Sequence, residues 1–246
     1  MLQAPVTPGM LGSVTSRATS TSEAADSPTD DGPGTVKAVY NRFVRSHLPY
    51  KLSTHNGVTA RGAKLFDLTD RFPEYEADIV AALRTHVRDG DDVVVVGGGF
   101  GVSSVVAARR AGDAGSVTTY EAGADQYDLV AETLEINDVE DSVDVEHAIV
   151  GSAVSTYTPP EDAAVVDAAD LPTCDVLEMD CEGAELGILR ELRIRPRVVV
   201  VEAHANFDAP EADVRAELDR LGYDVVDRGV EDAAKGIVIL TAVRDD

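Results

Sequence analysis

The chain has no tryptophan and only two cysteines among its 246 residues. Lysine stands at four positions alone: Lys37, Lys51, Lys64 and Lys235. Cys174 and Cys181 are too few for a disulfide framework, and their spacing matches neither a CxxC redox pair nor a zinc motif. They read as reduced, buried thiols. No apolar run approaches the roughly 18–20 residues of a membrane span. The first residues lack a basic segment leading into an apolar core, so no secretory leader is expected and the reading is cytoplasmic. The scarcity of lysine accompanies an excess of acid: 45 Asp and Glu against 21 Lys and Arg, a net charge of −24. Such a field repels phosphate backbones and argues against a nucleic-acid partner. An Asp-rich, Lys-poor surface also reads as adaptation to high salt, where self-repulsion is screened.

Residues 1–35 are rich in Ser, Thr, Pro, Gly and Asp without periodicity, and read as a disordered tail. A helix is expected over 36–47, then a hairpin whose turn holds Asn56-Gly57, together a small cap over 36–71. From Phe72 onward strands and helices alternate. The helix before the first strand is expected to open at Pro73 and run to about Val87. Strands are expected at 92–96, 116–121, 143–149, 175–179, 197–202, 223–227 and 236–243, with helices in the first five gaps but one. The exception, 150–174, is irregular and is given a small extra hairpin pairing 154–157 with 164–166. Seven strands closing on a strand pair imply an α/β fold over 72–246. It is a doubly wound, mostly parallel, Rossmann-like sheet whose last strand enters antiparallel. Ligands then belong at the carboxyl ends of the strands.

Val93 to Val96 form a β-branched run that enters Gly97-Gly98-Gly99-Phe100-Gly101 and then a helix-compatible segment, Val102–Ala111. A strand turning through glycines into a helix brings backbone N–H groups close to a nucleotide. Dinucleotide sites ask for G-x-G-x-x-G, which fails here at Val102 and Ser104. The spacing present is G-x-G-x-G, associated with S-adenosylmethionine (SAM). Gly97, Gly98, Gly99 and Gly101 are therefore cofactor candidates. Glu121 ends the next strand, twenty residues after Gly101, where a carboxylate can accept from both hydroxyls of an adenosine ribose. His147 and Ala148, near the end of the third strand, are candidates to flank the adenine. Tyr75 and Glu76 lie where such folds close over a cofactor, with Glu76 the assigned contact. His47, His55 and His86 read as surface or packing residues.

The fourth strand runs into Glu178-Met179-Asp180-Cys181-Glu182-Gly183-Ala184-Glu185. Acids packed so closely repel one another and need a cation, donors or a function. Alternation puts Glu202 and His204 of the fifth strand on one side, where Asp180 would point if the strands adjoin. His204 is the candidate general base, because imidazole titrates nearest neutral pH, with Asp180 and Glu182 next. Glu202 or Glu182 could fix its tautomer, and Asp180 is also a candidate cofactor contact. The same group, Asp180, Glu182, Glu202 and His204, could instead hold Mg²⁺ or Mn²⁺. The assignment adopted names no metal ligand.

The run Cys174 to Glu185, then Arg195-Pro196-Arg197 and Val201-Glu202-Ala203-His204, resembles the FkbM-type methyltransferases, whose pattern is iDlLKiDvEGaE followed by an rP…vvvE-x-H strand. The resemblance spans about Glu74 to His204 and weakens beyond. It implies a class I SAM-dependent methyltransferase acting on a hydroxyl oxygen of a sugar, polyketide or similar small molecule. Two positions depart. The family's first motif reads D-x-G-A-N-x-G, where this chain has Val95 for the acid and Gly99 for the Asn. The family's strand-4 lysine is Glu178. Three function classes follow: a small-molecule or glycan O-methyltransferase; a non-catalytic SAM-binding scaffold, motivated by Val95 and Glu178; and an NAD-dependent oxidoreductase, disfavoured by the glycine spacing. Tyr40, Tyr50 and Tyr157 are aromatic candidates for lining an acceptor pocket.

Overall fold

The structure is a computed structural model and describes residues 47–151 and 163–244. The expected tail, nearly all of the 36–47 helix, Tyr40, Tyr157 and the 154–157 arm lie outside the described residues.

The described residues form two sheets. The smaller is β1 (Tyr50–His55), β2 (Val58–Lys64) and β3 (Arg71–Phe72), in the order β2-β1-β3. The β1–β2 turn is Asn56-Gly57, with φ of 46° and 87°, the left-handed pair that a two-residue hairpin turn requires. β3 pairs parallel with β1, and Asn56 N–H donates to the Phe72 carbonyl at 2.9 Å. Pro73 therefore follows a strand. The helix α1 begins at Ala77 and runs to His86, four residues later than Pro73 suggests, because Glu76 turns left-handed at φ 44°.

The large sheet contains β4 (Asp92–Val96), β5 (Ser116–Glu121), β6 (Val143–Val150), β7 (Ala164–Val166), β8 (Val176–Met179), β9 (Val198–His204), β10 (Asp224–Asp232) and β11 (Ile237–Val243). Its order is β10-β11-β9-β8-β4-β5-β6-β7, and β11 alone runs antiparallel to its neighbours. This is the doubly wound architecture expected, with one strand added. Residues 164–166 pair parallel with β6 and so extend the sheet edge.

Among the described residues four more α-helices connect the strands: α2 (Val102–Ala111), α3 (Ala124–Ile136), α4 (Glu185–Glu191) and α5 (Glu211–Arg220). Alternation divides the core into two layers. Val93, Val95, Val176, Val198 and Val200 pack against α1, α2 and α3 through Ile79, Leu83, Val105 and Leu134. Val94, Val96, Leu177, Met179, Val199 and Val201 pack against α4 and α5 through Ile188, Leu189, Val214 and Leu218. Burying each such side chain contributes about 1.5–3 kcal/mol, which is why the central strands read as unbroken apolar runs. The strand order reverses between β4 and β8, which places a crevice above their carboxyl ends. No helix among the described residues is long and apolar enough to cross a membrane.

Candidate functional site

β4 ends at the glycine turn because its neighbours leave no room for side chains. Gly97 has φ 99°, and a Cβ there would lie 1.8 Å from the Asp180 carbonyl oxygen. The end of β8 thus presses directly on the turn. Gly97 N–H donates to Tyr120 O at 2.9 Å, and Gly101 N–H closes the turn onto Gly98 O at 2.7 Å. The helix α2 starts immediately afterwards at Val102. Gly99 is different: a Cβ there would meet only the Tyr75 hydroxyl at 3.5 Å and Glu76 Oε1 at 3.7 Å. Its outer side faces the Tyr75 and Glu76 side chains at ordinary contact distance.

Glu121 stands at the rim as the end of β5. Its Oε2 accepts from Gly99 N–H at 3.0 Å and its Oε1 from Gly123 N–H at 2.7 Å. Each oxygen keeps a free lone pair on a fixed carboxylate. His147 is the register partner of Glu121 on β6; its Nε2 is 3.2 Å from Ala122 O, and its ring leans on Tyr127 at 5.5 Å. Ala148 does not reach the rim. β6 continues to Val150 under cover of β7, which leaves Ala148 2 % exposed inside the core.

Glu76 reaches the turn from the opposite side. Burial pushes its carboxyl up to about 8; the hydrogen bond from Tyr75 opposes this, while Asp180 and Glu231 add to it. Tyr75 and Phe100 join His55, Phe72 and Tyr50 in an aromatic cluster that packs the small sheet against the turn, with centroid separations of 4.7–5.8 Å. His55 is buried there and Tyr50 packs on Phe100, so both serve packing.

At the ends of β8 and β9 the acids of the fourth-strand motif converge on His204. Its Nε2 is 3.6 Å from Asp180 Oδ1 and 3.5 Å from Glu202 Oε1. Its Nδ1 is 2.8 Å from Glu185 Oε1. Neither Glu202 nor Glu182 takes that nitrogen. Glu182 is exposed, with φ 50°, and acts on His204 only through its charge. The partner is Glu185, whose other oxygen accepts from Gly183 N–H at 2.8 Å. Glu185 was visible in the motif; its role depends on the first turn of α4 folding back beneath β9. Glu231 also acts here, because β10 runs five residues beyond its expected end and brings that acid beside the cluster.

The electrostatics follow from crowding. Burial raises both: Asp180 to about 6, with His204 and a hydrogen bond to Glu202 opposing and Glu185 and Glu231 adding, and Glu202 to about 10, with the charge of Asp180 adding, so the pair retains a proton on Glu202. Burial works against charge on His204, but the hydrogen bond and charge of Glu185, with Asp180 and Glu182, outweigh it and raise the imidazole. Glu178 lies deeper on the same face of β8 as Asp180. It is 1 % exposed, and its Oε2 has no partner among the described residues. Burial raises Cys174 to about 12 and pushes the Cys181 thiol well up too, in keeping with inert thiols.

The comparisons with known proteins bear on this geometry. A family model described as the methyltransferase FkbM domain matches residues 111–225, just under half of the chain. The matched stretch holds Glu121, Asp180, Glu185, Glu202 and His204, and leaves out Glu76 and the glycine turn. Among solved structures, a protein from Pyrococcus horikoshii described as a transferase aligns with a TM-score of 0.54 and 16 % identity, over 80 % of this chain and 73 % of that one. An rRNA-methylase assignment from Clostridium thermocellum aligns at 0.52 and 12 %, over 70 % and 96 % of the respective chains. A precorrin-6y C5,15-methyltransferase from Geobacter metallireducens aligns at 0.50 and 18 %, over 76 % and 94 %. Identities this low establish the Rossmann-like methyltransferase fold and no more. No curated protein matches the sequence. The family model likens residues 111–225 to the FkbM methyltransferase domain.

Proposed function

We propose that this protein transfers a methyl group from SAM to a hydroxyl oxygen of a small molecule or sugar. The observation that carries the reading is Glu121: a carboxylate clamped by Gly99 and Gly123 at the rim of the glycine turn, with acceptor capacity on both oxygens. A ribose diol is the ligand group that matches two adjacent acceptors. Gly99 meets its neighbours only at ordinary contact distance, and Asp180, with Glu76 once it gives up its proton, supplies the negative charge that a sulfonium and an ammonium would meet. His147 is the remaining candidate beside the adenine.

SAM, when bound, supplies a methyl group already activated for in-line displacement. The residues of this chain have two tasks. The first is alignment, which in well-oriented systems removes several kcal/mol of barrier. The second concerns the acceptor hydroxyl, which must lose its proton as its oxygen bonds to carbon. His204 Nε2 faces Asp180, whose side chain is 28 % exposed, and Glu185 holds Nδ1 on the other side of the ring. It can take that proton once the pH passes its raised pKa. Glu185 and Asp180 then stabilise the imidazolium.

Calorimetric titration of the full chain with SAM, S-adenosylhomocysteine and NAD⁺ tests the donor. Binding of the first two and not the third is expected, together with transfer of labelled methyl to hydroxylated acceptors. NAD⁺ binding alone would overturn the reading. SAM binding without turnover on any acceptor would favour the scaffold reading, which Val95 and Glu178 motivate.

A further inference from the structure

We propose that Asp180, Glu202 and His204 form a divalent-cation site of the Mg²⁺ or Mn²⁺ type, with Glu185 orienting the histidine. One ligand atom from each of the three lies within 4.8 Å of the other two. The separations from His204 Nε2, 3.6 Å and 3.5 Å, are too long for good hydrogen bonds. They fit ligands of one ion: atoms about 2.1 Å from a common centre stand roughly 3–4 Å apart.

Three further observations point the same way. Glu185 is fully buried and holds His204 Nδ1 at 2.8 Å, leaving Nε2 directed at the two carboxylates. A carboxylate behind an imidazole is how proteins fix a metal-ligating histidine. Below the cluster, on the same face of β8, the buried Oε2 of Glu178 has no partner. Asp180, Glu76 and Glu202 act on that carboxyl through their charge. An ion-bound water, which can donate or accept, would give the orphaned oxygen its missing partner. Finally, among the described residues no lysine or arginine forms an ion pair with Asp180, Glu185 or Glu202; only His204 does.

Two carboxylates and one imidazole, with no thiolate, suit a hard cation that keeps several positions for water or substrate. The Asp180 side chain is 28 % exposed and gives the ion a way in, whereas Glu202 and His204 are sealed at 4 % and 5 %. Polarisation of an acceptor hydroxyl by the ion rests on the methyl-transfer reading. The binding itself does not. With the ion bound, His204 is a ligand and no longer the proton acceptor.

Mn²⁺ alone, titrated into the full chain and followed by electron paramagnetic resonance in 1 M KCl to screen the acidic surface, tests the site. One tight equivalent is expected, with modulation from an imidazole nitrogen that disappears in His204→Gln. Asp180→Asn, a change at a partly exposed side chain, should weaken binding at least tenfold. Glu185→Gln should weaken it 10–100-fold, while the exposed Asp219→Asn should leave it unchanged. Circular dichroism would confirm that each variant folds. Mn²⁺ binding that lacks the nitrogen signal, or that Asp180→Asn does not weaken, would overturn the site. Mn²⁺ binding with no SAM binding would leave the site standing and overturn methyl transfer instead.

Discussion

Val95 and Glu178 are register partners on the adjacent parallel strands β4 and β8. The two departures from the FkbM pattern are therefore one local feature: a hydrocarbon beside an acid, where the family pattern has an acid and a lysine. Burial raises Glu178 well above the carboxylate range, so this partner is held neutral. Restoring the family pair should reveal the coupling. Val95→Asp alone adds a second buried acid, and Glu178→Lys alone buries a cation. Each should cost about 3–5 kcal/mol. The double variant should recover about 1–3 kcal/mol of the summed loss. Urea unfolding of the four proteins measures this, and strict additivity would show that the two positions are independent.

The glycines of the turn should separate folding from binding. Gly97→Ala forces a Cβ into the Asp180 carbonyl at a φ of 99°, where side chains are rarely tolerated. It should destabilise the chain by several kcal/mol or prevent folding. Gly99→Ala keeps a left-handed φ of 54° and meets only ordinary contacts. It should cost about 1–2 kcal/mol and still fold, but its methyl group would project toward Tyr75 and Glu76 and abolish SAM binding. Thermal melts with and without SAM distinguish the two, and a Gly99→Ala protein that binds SAM normally would place the ligand elsewhere.

Truncating Glu121 should weaken SAM more than it weakens the fold. Glu121→Ala removes the acceptor for Gly99 and Gly123 N–H and both proposed ribose contacts. Hydrogen bonds to a charged group contribute about 1.5–3 kcal/mol each, so a loss of affinity of roughly 10²-fold or more is expected. Glu121→Gln, which keeps one acceptor oxygen, should lose about tenfold. Calorimetry with S-adenosylhomocysteine reads both, and unchanged affinity in Glu121→Ala would remove the observation on which the proposed function stands.

β4, α2 and β5 are legible in the sequence to the residue, because a buried parallel strand is a continuous β-branched run and the glycines punctuate its end. The start of α1 is not, because β3 is two residues long and exists only through its pairing with β1. Asp180, Glu202 and His204 are legible as a group through alternation and adjacency of two strands. Glu185 is legible as an acid and illegible as the partner of His204, since that contact depends on how the first turn of α4 folds back. The reach of β10 to Asp232 has no apolar alternation to announce it: most of that edge strand faces solvent, and Glu231 arrives at the site through the β10–β11 ladder.

Glu76 should link both stability and ligand binding to pH. Its carboxyl titrates at an ordinary 4.5 when unfolded and at about 8 in the fold, chiefly through burial. Between these values the folded chain holds a proton that the unfolded chain has released. The stability this contributes is complete below about pH 4.5 and is lost as pH rises toward 8. Glu76→Gln should therefore match wild type near pH 4.5 and become the more stable protein by up to about 4 kcal/mol at pH 8. A cationic ligand reverses the preference, because it favours the ionised carboxylate. SAM should bind wild type more tightly as pH climbs to 8 and release close to one proton at pH 7. Titrations in phosphate and in Tris, whose ionisation heats differ, count that proton. Glu76→Gln should bind more weakly and release a correspondingly smaller number; equal release from both proteins would show that Glu76 does not face the cation.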